Sequence, residues 1–219
     1  LNVEIQDIAE KALLDVLHKQ NEQYKGDART GVVIVMEVAT GDIKAMVNMN
    51  RLESGAYYET KNNALTDILE PGSTFKTASI MVALEDGYIT PDQEVDTKNG
   101  VYKMYGSLMK DHNWTRGGYG VIDVTKILMV SSNIGVSRLI DENYHHQPKK
   151  FVEGLYKLGI ATPLNLDIPG AAKKPNIRKP TKENWSKTAL AWMSIGYETQ
   201  VPPMNTLAFY NAIANNGVM

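Results

Sequence analysis

At residues 70–86 the chain reads EPGSTFKTASIMVALED, a Pro-Gly turn followed by a segment that is apolar on most of its circumference. This pattern predicts a buried helix that begins at Ser73 and carries Lys76 on the same face, one turn further on. A serine hydroxyl attacks efficiently only when a nearby base removes its proton. Burial and the positive end of the helix dipole both disfavour the ammonium form of Lys76, so the segment predicts a serine nucleophile with a lysine base.

The Ser-x-x-Lys spacing is weak support by itself, and a helix-capping serine followed by a solvated lysine is the competing interpretation. With 9 serines and 18 lysines in 219 residues, random placement gives about 0.7 such pairs. A second pair exists at Ser107 and Lys110, but no Pro-Gly precedes it, and Asp111-His112-Asn113 follows where a buried helix should continue. We therefore expect the second pair to be unrelated to the site.

A partner for the first pair is the triplet Ser131-Ser132-Asn133, which lies between two predicted short helices at residues 121–130 and 133–142. The hydroxyl of Ser131 can pass a proton between the lysine and a leaving group. The amide of Asn133 can hold a substrate carbonyl and steady the lysine. An ordinary helix cap explains the triplet alone, but its combination with the upstream pair favours an active site.

The other predicted elements are helices and one hairpin. Apolar residues recur at helical spacing near the N-terminus, and two β-branched runs flank an Ala-Thr-Gly-Asp turn. The first pattern predicts a helix at residues 3–24, and the second predicts strands at residues 31–38 and 43–49. Two further helices are predicted from their ends: residues 148–158, closed by Gly159, and residues 203–215, with proline in the first turn and Gly217 beyond the end. Turn residues predict irregular connections at residues 51–70, 87–120 and 162–180. The chain is therefore expected to be a mixed α/β protein in which helix predominates.

Composition excludes several classes of function. The chain has 23 basic and 25 acidic side chains, a balance that gives no basic surface for nucleic acid or for an anionic membrane. It contains no cysteine, which excludes disulfides, thiolate catalysis and zinc–thiolate sites. The length allows one large domain or two small ones. We expect no metal site, because metal-ligand spacing is absent among the four histidines, His18, His112, His145 and His146.

The order of the two motifs, Ser73-x-x-Lys76 and then Ser131-x-Asn133, resembles the first two of the three signatures of penicillin-binding transpeptidases and serine β-lactamases. Class B penicillin-binding proteins are similar along the whole chain, including the first helix, the hairpin and the segments EPGSTFK, DHNW and IGYETQVPPMN. The resemblance implies their α+β fold, with a helical part and an incomplete antiparallel sheet, dominated by helix. Residues 1–219 would form a partial transpeptidase domain.

The third signature of the family, Lys-Thr-Gly on a strand, is expected some tens of residues after Gly217, and the chain ends at Met219. Lys187-Thr188-Ala189 is a poor substitute, because it precedes that landmark and has alanine in place of glycine. We therefore expect the chain to be a piece of a longer protein and, by itself, to be inactive or strongly impaired.

The resemblance implies a serine-type D,D-transpeptidase that cross-links peptidoglycan through an acyl-serine intermediate and is inhibited covalently by β-lactams. Ser73 would be the nucleophile, Lys76 its base and Ser131 a proton relay. Asn133 would bind the substrate, and the backbone N–H of Ser73 would supply half of the oxyanion hole. The resemblance implies no metal, no organic cofactor and no nucleic acid.

The family's partners and location follow from the same resemblance. The implied ligands are peptidoglycan stem peptides and β-lactam antibiotics, and the implied partners are the cell-wall synthesis machinery of cell division or cell shape. The domain would lie on the extracytoplasmic face of the bacterial cytoplasmic membrane, in the periplasm. It would be anchored there by a segment absent from this chain.

Three alternatives remain open on the residues. A serine β-lactamase shares Ser-x-x-Lys, but the oxacillinase class, in which Ser-Thr-Phe-Lys is common, is expected to carry Ser-x-Val in place of Ser131-x-Asn133. A β-lactam sensor domain would use the same scaffold to hold an acyl group. A purely structural domain would show no acylation of Ser73.

Overall fold

The computed structural model describes residues 1–164, 166, 168 and 174–218. The chain forms two compact units, the first of which comprises Leu1–Leu69, Thr162–Pro175 and Val201–Met219. The second unit comprises Glu70–Ala161 and Asn176–Gln200. All four predicted site residues belong to the second unit.

Helical residues outnumber strand residues in the described part of the chain, which confirms the expected helix-dominated α/β class. The helices are α1 Val3–Glu22, α2 Asn63–Thr66, α3 Lys76–Glu85, α4 Val124–Met129, α5 Asn133–Tyr144, α6 Pro148–Lys157, α7 Ala189–Ser194 and α8 Pro203–Ala214. The strands are β1 Thr30–Met36, β2 Ile43–Arg51, β3 Tyr57–Tyr58, β4 Glu94–Asp96, β5 Val101–Met104, β6 Ser107–Lys110, β7 Val121–Asp123, β8 Asn176–Ile177 and β9 Thr199–Gln200.

The first unit contains an antiparallel sheet of order β1-β2-β3, and the predicted hairpin is its β1-β2 pair. Helix α1 covers one face of this sheet. Its buried residues Ala9, Leu13 and Leu17 recur at four-residue spacing and pack with Ala45 and Val47, which alternate along β2. The periodicities of 3.6 and 2 that predicted the two elements are therefore the periodicities of one shared core.

The second unit is built around α3, which packs against α5 and α6, while α5 also packs against α7. Four apolar side chains of α3 are almost completely removed from solvent, as an apolar circumference predicts: Ala78, Ile80, Val82 and Ala83. This surrounding core makes α3 a fixed base for the residues at its N-terminal end.

The prediction of an irregular connection over residues 87–120 is wrong, because β4, β5 and β6 lie within it. Strand β5 pairs with β6, and β4 pairs with β7, which takes the first three residues of the helix predicted at 121–130. The β5-β6 hairpin turns at Tyr105 and Gly106, both with positive φ (50° and 92°), as a two-residue type I′ turn requires. Strands of three or four residues are too short to show an alternating pattern.

Other short elements were not predicted either, namely β3, α2, α7 and the β8-β9 pair. The irregular connection predicted over residues 162–180 lies partly outside the described residues, and β8 falls within it. Across the described residues, no helix combines the length and the apolarity that crossing a membrane requires.

Candidate active site

Ser73 lies exposed on a 3₁₀ turn, Gly72–Phe75, that leads directly into α3. The helix therefore begins at Lys76, three residues later than predicted, because a tighter turn precedes it. The backbone N–H of Lys76 donates to the carbonyl oxygen of Ser73, and the side chain of Phe75 is completely buried. The turn thus presents the serine to solvent while the next side chains anchor it in the core.

Lys76 is 2 % exposed, and its ammonium group donates to two atoms of Ser131. The distance from Nζ is 2.6 Å to the carbonyl oxygen of Ser131 and 3.0 Å to its Oγ. Burial lowers the pKa of Lys76 to about 8, against a smaller opposing effect of the negative charge on Asp111. The neutral amine is therefore accessible near physiological pH, as a proton acceptor requires.

Ser131 adopts a left-handed backbone conformation, with φ of +53°, in the connection between α4 and α5. Two backbone hydrogen bonds support it: its own N–H donates to Leu128, and the N–H of Ser132 donates to Ile127. Left-handed backbone is uncommon for a residue with a side chain and is found preferentially at functional sites. In this conformation both oxygens of Ser131 accept hydrogen bonds from Lys76.

The next serine in the triplet has a different role. Ser132 is completely buried and caps α5, where its Oγ accepts from the N–H of Gly135 at 2.9 Å. The same hydroxyl donates to Asp111 at 2.8 Å, and the other oxygen of this carboxylate accepts from the N–H of Ile134 at 3.1 Å. Ser132 and Asp111 therefore lock the start of α5 and, with it, the position of Ser131.

Asp111 is the site residue that sequence reasoning missed. Nothing in its sequence spacing links it to the serine triplet. The structure buries it to 1 % exposure beside that triplet, where its charge raises the pKa of Lys76 against the effect of burial. An acidic residue is buried here only because distant segments pack around it, and the sequence around Asp111 carries no sign of that burial.

Asn133 is the first residue of α5, and its side-chain nitrogen donates to the carbonyl oxygen of Lys110 at 2.8 Å. The ammonium of Lys110 in turn lies 3.8 Å from the ring centroid of Trp114, a cation–π contact. The Asn133 amide is thereby oriented by the β5-β6 hairpin. The Lys76 ammonium donates to the two oxygens of Ser131, and the Asn133 amide donates to Lys110.

The rejected motif copies are structurally unsuited to this chemistry. Ser107 and Lys110 lie on β6, where residues three apart point to opposite faces of the strand. Lys187-Thr188-Ala189 runs into α7, which begins at Ala189, so it forms no strand. Among the described residues, histidines and acidic side chains form no group able to hold a metal ion.

Substitution of the two neighbouring serines is expected to separate structure from chemistry. Ser132→Ala removes a buried helix cap and leaves Asp111 short of a donor, so it should lower the free energy of unfolding by about 1–3 kcal/mol. Ser131→Ala removes an exposed hydroxyl, and the Lys76 ammonium keeps its hydrogen bond to the carbonyl oxygen of Ser131, so this variant should cost less than about 1 kcal/mol. Urea denaturation of both variants measures the difference, and equal losses would contradict the assigned roles.

An exposed hydroxyl one turn before a buried lysine, with a second serine hydroxyl on the lysine nitrogen, can serve as a nucleophile, a base and a proton carrier. This arrangement suits acyl transfer through a serine ester. The class of protein that this arrangement fits is that of serine acyl-transfer enzymes that use lysine as a base.

Comparisons with known proteins agree with this class. Residues 31–219 match the penicillin binding protein transpeptidase domain family. The probable peptidoglycan D,D-transpeptidase PbpC of Pseudomonas aeruginosa is 32 % identical over 99 % of the chain and 36 % of its own length. The peptidoglycan D,D-transpeptidase FtsI of Escherichia coli K12 is 29 % identical over 87 % of the chain and 31 % of its own length.

A solved structure is similar in fold as well as in sequence. The apo transpeptidase domain of penicillin-binding protein 3 from Burkholderia pseudomallei superposes with a TM-score of 0.76 and 27 % identity, over 99 % of this chain and 58 % of that one. The chain belongs to the penicillin-binding protein transpeptidase domain family. It spans about a third of the length of the two curated relatives described above.

Proposed function

We propose that the chain is part of a peptidoglycan D,D-transpeptidase, and specifically a partial transpeptidase domain over residues 1–219. The observation that carries this proposal is the buried Lys76 ammonium on Ser131, one turn after an exposed Ser73. The relatives PbpC and FtsI, both named peptidoglycan D,D-transpeptidases, support the same reaction.

The chemistry uses four residues. Oγ of Ser73 attacks the carbonyl carbon of the penultimate D-alanine while Lys76 accepts the hydroxyl proton. The C–N bond to the terminal D-alanine breaks, and the proton passes through Ser131 to the leaving amine. Asn133 binds the substrate carbonyl, and the N–H of Ser73 stabilises the developing oxyanion. An amine of a neighbouring peptidoglycan chain then attacks the ester carbonyl and takes the acyl group, and Ser73 recovers its hydroxyl.

The same ester explains inhibition by β-lactams, which acylate the serine in place of the stem peptide. We propose that the protein acts together with the cell-wall synthesis machinery. Its place would be the extracytoplasmic side of the cytoplasmic membrane, with a membrane anchor outside these residues. The catalytic steps use protein groups alone, without a cofactor. A β-lactamase would share the acylation step but would hydrolyse the ester quickly.

The test is acylation of the full-length protein by a fluorescent penicillin, followed by peptide mapping of the labelled residue and measurement of the ester lifetime. The proposal predicts a label on Ser73 that persists for hours. A label on Ser107, or no label, would contradict the assignment. Release within seconds would instead identify a β-lactamase.

The pH dependence of acylation should follow the protonation of Lys76. Because burial lowers the pKa of this lysine to about 8, the reactive amine is scarce below pH 8 and predominant above it. The acylation rate should rise about tenfold per pH unit up to that pH and then level off. Stopped-flow acylation between pH 6 and 10 measures the midpoint.

The matched variant is Asp111→Asn. The Asp111 charge raises the pKa of Lys76, so its removal should move the midpoint of the acylation profile to lower pH. An unchanged or higher midpoint would show that Asp111 does not act on the lysine. Circular dichroism checks that the variant retains its fold.

A further inference from the structure

The segment at residues 194–198 begins at the last residue of α7 and lies against the segment that carries Ser73. The carbonyl oxygen of Ser194 accepts from Oγ of Ser79 at 2.8 Å, and both serines are completely buried. The carbonyl oxygen of Gly196 accepts from the N–H of Gly72 at 3.1 Å. The N–H of Glu198 donates to Oε1 of Glu70 at 3.0 Å. Three hydrogen bonds therefore join the two segments.

Gly196 makes the closest of these approaches. A Cβ atom at this position would lie 1.9 Å from the carbonyl oxygen of Gly72 and 2.5 Å from its carbonyl carbon. Because those atoms belong to backbone, they cannot move aside as the end of a flexible side chain could. Gly196 also has a φ of +88°, which L side chains rarely adopt.

The contact bears directly on the nucleophile because Gly72 immediately precedes Ser73. The carbonyl of Gly72 and the N–H of Ser73 belong to one planar peptide unit and point in opposite directions. A residue packed against the Gly72 oxygen therefore sets the direction of the Ser73 N–H and the position of the Ser73 Cα atom.

Backbone hydrogen bonds and an ion pair hold the 194–198 segment in place. The N–H of Gly196 donates to Met193 at 2.9 Å, and the N–H of Tyr197 donates to Trp192 at 3.0 Å, the paired bonds of a Schellman motif at the end of α7. The carboxylate of Glu198 forms an ion pair with Arg178. The close approach to Gly72 is thus made by backbone that is itself held by the end of a helix.

Helix termination alone is the competing explanation for a glycine here, and the chain offers a control for it. Gly87 ends α3 with the same paired bonds, from its own N–H to Leu84 and from Tyr88 to Ala83, each 3.0 Å. Its φ is +68°, and an added Cβ would meet no atom within 4 Å. Gly87 therefore has the helix-ending role without the contact to a neighbouring backbone.

We propose that Gly196 is a positioning residue that holds the Gly72–Ser73 peptide in the orientation needed for acylation of Ser73. This inference rests on the proposed function, because it assigns the Ser73 N–H to oxyanion stabilisation. Gly196 touches no reacting atom and acts through the peptide that precedes the nucleophile.

The experiment compares Gly196→Ala with Gly87→Ala in the full-length protein. Both substitutions place alanine at a left-handed position, so both should lower the unfolding temperature. Only Gly196→Ala should lower the rate constant of penicillin acylation, by about 10²-fold, the loss typical of a misplaced reacting group or a lost oxyanion donor. The pH midpoint should stay unchanged, because the lysine contacts with Ser131 are not altered.

Rate constants rather than labelled amounts decide the outcome. A purely structural effect would reduce the fraction of protein that reacts but leave the rate constant of the folded fraction equal to that of Gly87→Ala, and this result would overturn the proposal. Absence of labelling in the unmodified protein would contradict the proposed function and the inference together. Normal labelling with equal rates in the two variants would contradict the inference alone.

A second pair of variants applies if Gly196→Ala does not fold. Glu70→Ala removes the acceptor for the Glu198 N–H, whereas Glu70→Gln keeps an acceptor oxygen without the charge. Slower acylation in Glu70→Ala, restored in Glu70→Gln, would indicate that the 194–198 segment holds the Ser73 turn in its reactive position. A wild-type rate constant in Glu70→Ala would overturn the proposal.

Discussion

Ser73→Ala is expected to abolish covalent labelling by a fluorescent penicillin while the protein remains folded. The residue is exposed on the 3₁₀ turn, so loss of its hydroxyl removes the nucleophile without opening a cavity in the core. Surface substitutions of this kind change stability by about 0.5 kcal/mol or less. Gel fluorescence after incubation with the penicillin measures labelling, and thermal unfolding measures the fold.

The matched control is Ser107→Ala, which removes the serine of the other Ser-x-x-Lys pair. Ser107 is also exposed but lies on β6. This variant should label as strongly as the unmodified protein. Undiminished labelling of Ser73→Ala, or loss of labelling in Ser107→Ala, would show that Ser73 is not the nucleophile.

Lys76→Arg should slow acylation by roughly 10²- to 10⁴-fold, the usual contribution of a general base. Arginine retains the positive charge but stays protonated at any usable pH, so it cannot accept the proton of Ser73. Stopped-flow acylation measures the rate. A near wild-type rate would show that position 76 requires only a positive charge.

Lys76→Met should slow acylation as strongly but stabilise the protein. Burial holds the pKa of Lys76 at about 8, below its ordinary value of about 10.4, and each unit of the difference corresponds to about 1.4 kcal/mol. The loss of folding stability caused by burying this charged amine is fully present below pH 8 and vanishes as the pH rises through about 10.4. Methionine should therefore raise the free energy of unfolding at pH 7 by roughly 1–3 kcal/mol.

Urea denaturation at pH 7 and pH 10 tests this stability difference. The gain of Lys76→Met over the unmodified protein should be large at pH 7 and small at pH 10. A loss of stability at pH 7 would show that the lysine contacts with Ser131 stabilise the fold by more than its desolvation destabilises it. Together, the acylation and stability results would show a base retained for reactivity at the expense of stability.

Elements with a long periodic pattern could be predicted from the sequence. The predicted boundaries of α1, α6 and α8 differ from the observed ones by two residues or fewer. Helices α1 and α6 each bury an apolar face, and α8 begins at a proline and is followed by Gly217. The antiparallel pairing of β1 with β2 was predicted from two β-branched runs around a short turn. Such patterns survive because the same residues determine both the local conformation and the buried face.

Elements of two to four residues could not be predicted. Strands β5 and β6 pair because the turn with positive φ at Tyr105 and Gly106 brings two four-residue stretches into register, whereas β4 pairs with β7, which lies further along the chain. Each strand has too few side chains to show an alternating pattern. Pairing with a partner strand stabilises them, and a local pattern does not reveal which partner is available.

The sequence by itself determined the spacing of Ser73 and Lys76, because three residues in a helical turn bring two side chains to one face whatever surrounds them. Only the tertiary structure decided that Lys76 donates to Ser131, 55 residues away, and that burial lowers its pKa to about 8. It alone also placed Asp111 beside Ser132 and Gly196 against Gly72. Contacts within one turn follow from backbone geometry, whereas contacts between distant segments depend on how whole helices pack.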